Sequence, residues 1–357
     1  MAELTQKELE RREKLQREKP LAREKILKYP ERLENGLSCA IIDFCFDYIC
    51  NLHCTHCLNT KIGKKDRVMT LDEWHSLAVQ ADDLGIAQFC ISGGEPLIFK
   101  ELDDIFKAIM PEKFHIAMST NGMFLDAEKA KHLKSIGLDK VKISVDSIDE
   151  AKASAQRNNG KQYQQALQAL KNAKDAGIDA VIQHVITHQS LYMPEYIKLL
   201  EYATENDYTV DTLPARALGE WEGRYDILLT EEDGDYLREL HKKYPVLRWD
   251  MLPANGFDKK SCGAVKQVLH ITKYGDVLPC VYIQIAIGNL FNESLKSIID
   301  RGYNIKWFKD FQPLCLSGQD RYFIHNYIEK GNNRLVPLDY KEAFNTDDFI
   351  DPSKEGL

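Results

Sequence analysis

The sequence predicts an α/β fold: a partial TIM-like (β/α)6 barrel, followed by a β-hairpin and a helix that form a smaller C-terminal module. From residue 38 to residue 213, apolar strand-like runs alternate six times with stretches of helical periodicity. Repeated βα units imply parallel strands with right-handed crossovers, and six of them suit an open barrel rather than a closed eight-stranded one. Past residue 260 the pattern changes to short apolar runs around Tyr274-Gly275, the mark of a hairpin.

The elements follow in order. Residues 1–36 form a charged arm with sparse leucines and breakers at Pro20 and Pro30, which reads as a solvated helical arm. The barrel occupies residues 37–215. Its strands are expected at 38–46, 87–92, 115–119, 140–145, 180–186 and 210–213, with helices at 71–84, 102–110, 127–136, 162–176 and 193–203. Thr70-Leu71-Asp72-Glu73 is a capping box, and Gly85, Gly137 and Gly177 are helix stops. Residues 216–260 are a bridge containing a helix at 231–244, residues 261–320 the hairpin module, and residues 321–357 a tail. In the bridge, Arg216, Glu220, Trp221, Glu222, Arg224 and Trp249 suit either a polar substrate or the packing of an insertion.

Composition narrows the function. A chain of 357 residues, 44% hydrophobic and 29% charged, is an ordinary globular protein with room for a large core. Its net charge of -8 argues against non-specific binding to nucleic acid or anionic membrane. No apolar run approaches a membrane span and the charged N-terminus is no signal peptide, so a cytoplasmic location is expected. Nine irregularly placed cysteines make a poor disulfide framework and a better set of reduced, metal-holding thiols. Cys39, Cys45 and Cys90 lie in strand-like segments and are expected to be buried hydrophobes.

The chemistry centres on Cys50-Asn51-Leu52-His53-Cys54-Thr55-His56-Cys57, where three and then two residues separate the thiols. One loop of this spacing wraps an iron-sulfur cube and ligates three of its four irons. Structural zinc asks for a second Cys pair, and a ferredoxin run for a fourth Cys followed by Pro; neither is present. The loops after the first four strands, namely 50–57, 93–96, 120–122 and 146–147, are polar or glycine-rich and are expected to share the mouth at the C-terminal ends of the strands.

This loop, together with Ile91-Ser92-Gly93-Gly94-Glu95-Pro96-Leu97 after a gap of 35 residues between Cys57 and Gly93, resembles the radical S-adenosylmethionine (radical SAM) superfamily. Ser119-Thr120-Asn121-Gly122 and Ser144-Val145-Asp146 resemble its strand-end motifs. The resemblance implies a [4Fe-4S] cluster on Cys50, Cys54 and Cys57 with an open iron that chelates S-adenosylmethionine. It implies that Gly93, Gly94 and Glu95 hold the methionyl amino group, and that Asn121 belongs to the same site. Ser144 and Arg157 are candidates for the ribose or carboxylate, although Arg157 reads equally well as a surface arginine beside Asn158-Asn159-Gly160. His56 is expected near the adenine or in support of the cluster.

Cys262-Gly263, Gly275-Asp276-Val277-Leu278-Pro279-Cys280 and Gly288-Asn289-Leu290 resemble the auxiliary-cluster module called SPASM or twitch. A full SPASM pattern continues with closely spaced cysteines, whereas only Cys315 remains here. At most one auxiliary cluster is therefore expected, on Cys262, Cys280 and Cys315, with either an open iron or an unidentified fourth ligand, for which Asp320, His325 or a substrate atom are the candidates. A hairpin that has lost its cluster is the other reading. The resemblance implies reductive cleavage of S-adenosylmethionine to a 5'-deoxyadenosyl radical, which takes hydrogen from an unactivated carbon. A flavodoxin- or ferredoxin-type reductant is implied as the partner. The expected function is a dehydrogenase-type oxidoreductase or related C–H modification of a polar small molecule such as a sugar, aminocyclitol or cofactor precursor. Ribosomal peptide maturation and a non-catalytic iron-sulfur carrier are the alternatives.

Overall fold

The computed structural model describes residues 6–35, 39–249 and 262–350. Ser38 at the expected start of the first strand, residues 250–260 of the expected bridge and 261 of the expected module, 351–357 of the tail, and 1–5 and 36–37 flanking the helical arm lie outside the described residues.

Two helices, α1 (Gln6–Glu18) and α2 (Pro20–Glu34), precede the barrel. Six parallel strands then pair in chain order: β1 (Ile41–Cys45), β2 (Gln88–Ser92), β3 (His115–Thr120), β4 (Lys140–Ser144), β5 (Asp179–Ile186) and β6 (Thr209–Pro214). The crossovers are α3 (Leu71–Asp83), α4 (Leu102–Ala108), α5 (Ala127–Ser135), α6 (Glu150–Arg157) with α7 (Gln162–Asp175), and α8 (His188–Leu191) with α9 (Pro194–Glu205). The capping box forms as its sequence requires: Glu73 N donates to Thr70 Oγ1, and Thr70 N donates to Glu73 Oε2 at 2.9 Å.

Alternation along the strands divides the sheet into two chemistries. Ile42, Phe44, Phe89, Ile91, Ile116, Met118, Val141, Ile143, Ile182 and Val210 are fully buried on the helix-covered face, where the Phe44 ring lies 4.9 Å from that of Trp74 on α3. The inner face is polar. Lys142 of β4 meets Asp211 of β6 at 3.1 Å, and Asp43 of β1 accepts from Ser92 Oγ of β2 at 2.7 Å.

The sheet continues beyond the expected six strands at both edges. After α10 (Glu231–Lys243), β7 (Leu247–Trp249) pairs parallel to β6, so part of the expected bridge is a seventh barrel strand. Trp249, read as a possible substrate contact, is buried in that strand. At the other edge β8 (Val268–Ile271) pairs parallel to β1, with His270 opposite Asp43. Then come the antiparallel hairpin partner β9 (Asp276–Leu278), β10 (Ile285–Ala286), and β11 (Gly288–Asn289), which pairs with β9. The result is one ten-stranded sheet in the order β11-β9-β8-β1-β2-β3-β4-β5-β6-β7. The apolar run 268–271 covers what would otherwise be an open edge at β1. Helix α11 (Leu295–Tyr303) follows, capped by Ser294, and β12 (Leu338–Asp339) pairs with β10.

The N-terminal arm does not stand in solvent. Lys19 is buried, donating to the carbonyls of Phe114 at 3.0 Å and Gly137 at 2.7 Å and pairing with Asp139 at 2.5 Å. Arg11 pairs with Asp179, and Tyr29 donates to the Lys266 carbonyl. These partners sit at the N-terminal ends of strands, so the arm braces the end of the barrel opposite its mouth. Long cationic side chains, with apolar stems and charged tips, supply the docking that the sparse leucines did not announce.

Burial drives both members of the Lys19–Asp139 pair toward neutrality, Lys19 below and Asp139 above its ordinary pKa, against their mutual attraction. Removing one partner of such a pair strands a buried charge at a cost of about 3–5 kcal/mol. Lys19→Met is therefore expected to lower the unfolding free energy in urea by about 3 kcal/mol. The double variant Lys19→Met/Asp139→Asn should lose less than the single one; an equal or larger loss would refute the stranded-charge account.

Candidate functional site

The mouth is organised by a buried carboxylate. Glu95, at the start of the loop after β2, accepts from Thr120 Oγ1 at 2.6 Å and Leu97 N at 3.1 Å through Oε1, and from Asn121 N at 2.7 Å through Oε2. Burial pushes its carboxyl above the ordinary range, against these hydrogen bonds and the Arg157 charge. Asn121 Nδ2 donates to Asn51 Oδ1 at 2.9 Å, tying the end of β3 to the cysteine loop. Gln162, which the sequence reading passed over, is 1% exposed and clamps the next strand end: its Nε2 donates to the carbonyls of Asn121 and Ser144 at 2.8 and 3.0 Å. The only sequence signal was an uncharged polar residue opening an amphipathic helix.

Gly93 and Gly94 answer to the cysteine loop first. Gly93 lies at φ +119°, in backbone space that favours glycine, and a Cβ there would sit 2.3 Å from Cys45 Sγ and 2.5 Å from the Asp47 carbonyl. A Cβ on Gly94 would meet the Ile49 carbonyl at 1.9 Å. The Cβ directions of both glycines are thus taken up by the chain's own residues 45–49. Gly94 N donates to the Asp47 carbonyl and Glu95 N to the Ile49 carbonyl, both at 2.9 Å, and Asn59 Nδ2 donates to the Gly93 carbonyl at 2.8 Å.

Arg157 is buried at the end of α6, a helix the sequence reading missed. Its Nε and Nη2 form a two-pronged ion pair with Asp146, Nη2 donating to Oδ1 at 2.9 Å, and its Nη1 lies 3.5 Å from Cys54 Sγ. Burial alone would raise Asp146, but the guanidinium holds its carboxyl below the ordinary range. The alternative of a surface arginine is thereby overturned. Ser144 is half-buried at the end of β4. His56 Nδ1 is buried and has no hydrogen-bond partner among the described residues, its ring lies 5.5 Å from that of Trp221, and burial lowers its pKa to about 4.

All nine cysteines are free thiols; Cys39, Cys45 and Cys90 are buried, Cys39 within the hydrophobic core and Cys45 donating to the Asp47 carbonyl at 3.0 Å. The other six form two sets of three. Burial pushes the Cys50 and Cys57 thiols up, and the neighbouring Cys54 pushes both further. In the C-terminal module burial raises Cys262 to about 12, with Cys315 adding to the shift, and Cys280 is raised by burial and then by Cys262 and Cys315. Among the described residues no three His, Cys, Asp or Glu side chains close round a single ion. A four-iron cube asks for a wider set, since each thiolate takes a different iron, and both trios fit it in chemistry.

Two suggested fourth donors at the second trio are engaged elsewhere. Asp320 caps a short helix by accepting from Phe323 N at 2.9 Å, and His325 is exposed and paired with Glu329 at 3.0 Å. From the bridge, Arg216 reaches this trio, its Nη2 lying 3.2 Å from Cys315 Sγ. Glu220 N donates to the Cys57 carbonyl at 3.0 Å, Glu222 Oε1 accepts from Asn333 N at 2.9 Å, and Arg224 pairs with Asp226. Among the described residues no helix is long and apolar enough to cross a membrane.

Residues 46–203 match the family described as the radical SAM superfamily, and residues 262–319 match SPASM, an iron-sulfur cluster-binding domain. A GTP 3',8-cyclase of Mycobacterium sp. (strain KMS) is 30% identical over 183 residues, covering 48% of this chain and 51% of that protein; the chain thus spans about half that relative's length. A GTP 3',8-cyclase of Campylobacter curvus (strain 525.92) is 25% identical over 277 residues, covering 71% and 81%. Streptococcus suis SuiB bound to precursor peptide SuiA has a TM-score of 0.58 at 17% identity, over 78% of this chain and 69% of that one. The structure of anSMEcpe with bound AdoMet gives 0.57 at 18% identity, over 78% and 83%. These two likenesses establish the shared fold.

Gly94→Ala is expected to displace the cysteine loop at the Ile49 carbonyl. Iron analysis after anaerobic reconstitution should show the loss of roughly one four-iron cube, while far-UV circular dichroism stays near wild type. Wild-type iron content in Gly94→Ala would contradict the close approach.

Proposed function

Because the chain belongs to the radical SAM superfamily and carries a SPASM-type iron-sulfur domain behind its barrel, we propose that it removes hydrogen from an unactivated C–H bond of a polar small molecule, as a dehydrogenase-type oxidoreductase or a close relative of one. Cys50, Cys54 and Cys57 would hold a [4Fe-4S] cluster with an open iron, which would supply the electron for cleavage of S-adenosylmethionine to methionine and a 5'-deoxyadenosyl radical.

The chain's own residues then have definable tasks. Cys50, Cys54 and Cys57 hold three irons, and the Gly93-Gly94 turn and Glu95 fix the loop that carries them. Arg157 directs its Nη1 at Cys54 Sγ from 3.5 Å and is itself held by Asp146. His56, with its buried and unpaired Nδ1, offers one polar contact to a bound base or ribose. Backbone and side-chain groups of Asn121 and Ser144 line the same strand ends.

The observation that carries the substrate class is the inner face of the sheet. There the Lys142–Asp211 and Asp43–His270 pairs keep side-chain exposures of 21%, 19%, 17% and 6%, while the opposite face is closed by helices. A lumen lined by paired, partly hydrated charges suits a polar or zwitterionic small molecule and repels an apolar one. The curated relatives named for a nucleotide support this class, whereas the peptide-bound neighbour shares the fold at 17% identity and lends no substrate argument. Free thiols throughout are in keeping with a reducing cytoplasm and a flavodoxin- or ferredoxin-type donor.

Replacing Cys50, Cys54 and Cys57 together by Ala should abolish 5'-deoxyadenosine formation by anaerobically reconstituted protein; continued formation would refute their role. Iron analysis should give about eight irons per chain for two cubes, falling to about four in Cys280→Ala. Wild-type protein that saturates at about four, unchanged by Cys280→Ala, would remove the auxiliary cluster.

A further inference from the structure

Arg216 stands two residues past the end of β6, where the barrel meets the cysteine module, and is 5% exposed. Its guanidinium is held from several sides. Nη1 donates to the Pro214 carbonyl and to the Ala215 carbonyl at 3.2 Å, and Nε donates to Ser317 Oγ at 3.1 Å. The group lies 4.4 Å over the Tyr282 ring, and Nη2 points at Cys315 Sγ from 3.2 Å. Gly318 makes room for it: a Cβ there would sit 3.0 Å from Cζ, Nε and Nη1.

We propose that Arg216 is the residue that sets the redox potential of the auxiliary cluster, by placing a fixed positive charge and an N–H donor against the Cys315 sulfur. The proposal rests on the reading that Cys262, Cys280 and Cys315 hold an iron-sulfur cluster. A reduced cluster carries one more negative charge than its oxidised form, so a nearby cation stabilises the reduced form more. Hydrogen bonds to the sulfurs and local charge are the protein's levers on such potentials. A guanidinium is suited to this because it stays charged when buried and its planar fork lets one arm meet sulfur while the others are anchored. Arg216 is thus a positioning residue acting through the cluster's ligand.

The test uses the full-length chain carrying Cys50→Ala, Cys54→Ala and Cys57→Ala, so that only the auxiliary site can hold iron. The reconstituted protein is titrated anaerobically with dithionite, and the reduced cluster is followed by electron paramagnetic resonance. Arg216→Met should lower the reduced-to-oxidised ratio at a fixed potential at least tenfold, a fall of about 59 mV in midpoint for one electron. Arg216→Lys, which keeps charge without the fork, and Gly318→Ala, which crowds the guanidinium, should give smaller falls. A merely structural arginine would change iron loading or melting temperature without moving the midpoint. Unchanged potentials in the variants that load iron would overturn the proposal. Should Arg216→Met lose its iron, Arg216→Lys and Gly318→Ala decide by the same criterion. If the triple-alanine parent binds no iron at all, the auxiliary-cluster reading itself falls, a result distinct from an unmoved potential.

Discussion

The geometry of the mouth depends on a backbone-to-backbone approach between two loops. The turn after β2 lies so close to residues 45–49 that a single methyl group at Gly94 would overlap the Ile49 carbonyl at 1.9 Å. Two hydrogen bonds of 2.9 Å, from Gly94 N and Glu95 N, lock that contact. An eight-residue loop bearing three thiols has little structure of its own, with one short turn from Cys57 N to the Cys54 carbonyl. Its shape is borrowed from the strand end beneath it, and the buried Glu95 passes the same constraint on to β3 through Thr120 and Asn121.

Charge is then placed where sulfur will need it. Each thiol trio has a buried arginine against one member: Arg157 at Cys54 and Arg216 at Cys315, at 3.5 and 3.2 Å. The two are built differently. Arg157 is neutralised by Asp146 in a two-pronged pair, so its net field is weak and its role at the loop is chiefly steric and directional. Arg216 is seated among two carbonyls, a hydroxyl and an aromatic ring, with Nη2 turned to the sulfur. Buried ionic groups of this kind seldom add to stability, which is a reason to read them through the chemistry they face.

Much of this was legible in the chain because local chemistry and global fold agree. The Thr70–Glu73 box, the glycine helix stops and the six strand runs lie where periodicity and capping rules put them, to within a few residues. The cysteine loop and Gly93-Gly94 are also adjacent in sequence terms to the strands that position them. What escaped notice depends on contacts between distant positions. Asp43 and His270 are 227 residues apart, and nothing in the run 268–271 says that it will lie parallel to the first strand as well as antiparallel to its hairpin partner. The burial of Arg157 followed from α6, an alanine-bearing helix whose pattern is weak beside the Asn158-Asn159-Gly160 turn signal. The docking of the arm rests on lysine and arginine tips, which a reading of apolar faces treats as solvent-facing.

The pairing of β8 with β1 makes the strand that feeds the first thiol loop and the strand that opens the second module neighbours in one hydrogen-bonded ladder. The two cysteine trios proposed to hold iron are therefore attached to adjacent strands of one sheet, Cys50 five residues past the end of β1 and Cys262 six residues ahead of β8. Cutting the chain ahead of the module would also bare the edge of β1 and invite it to pair with another copy.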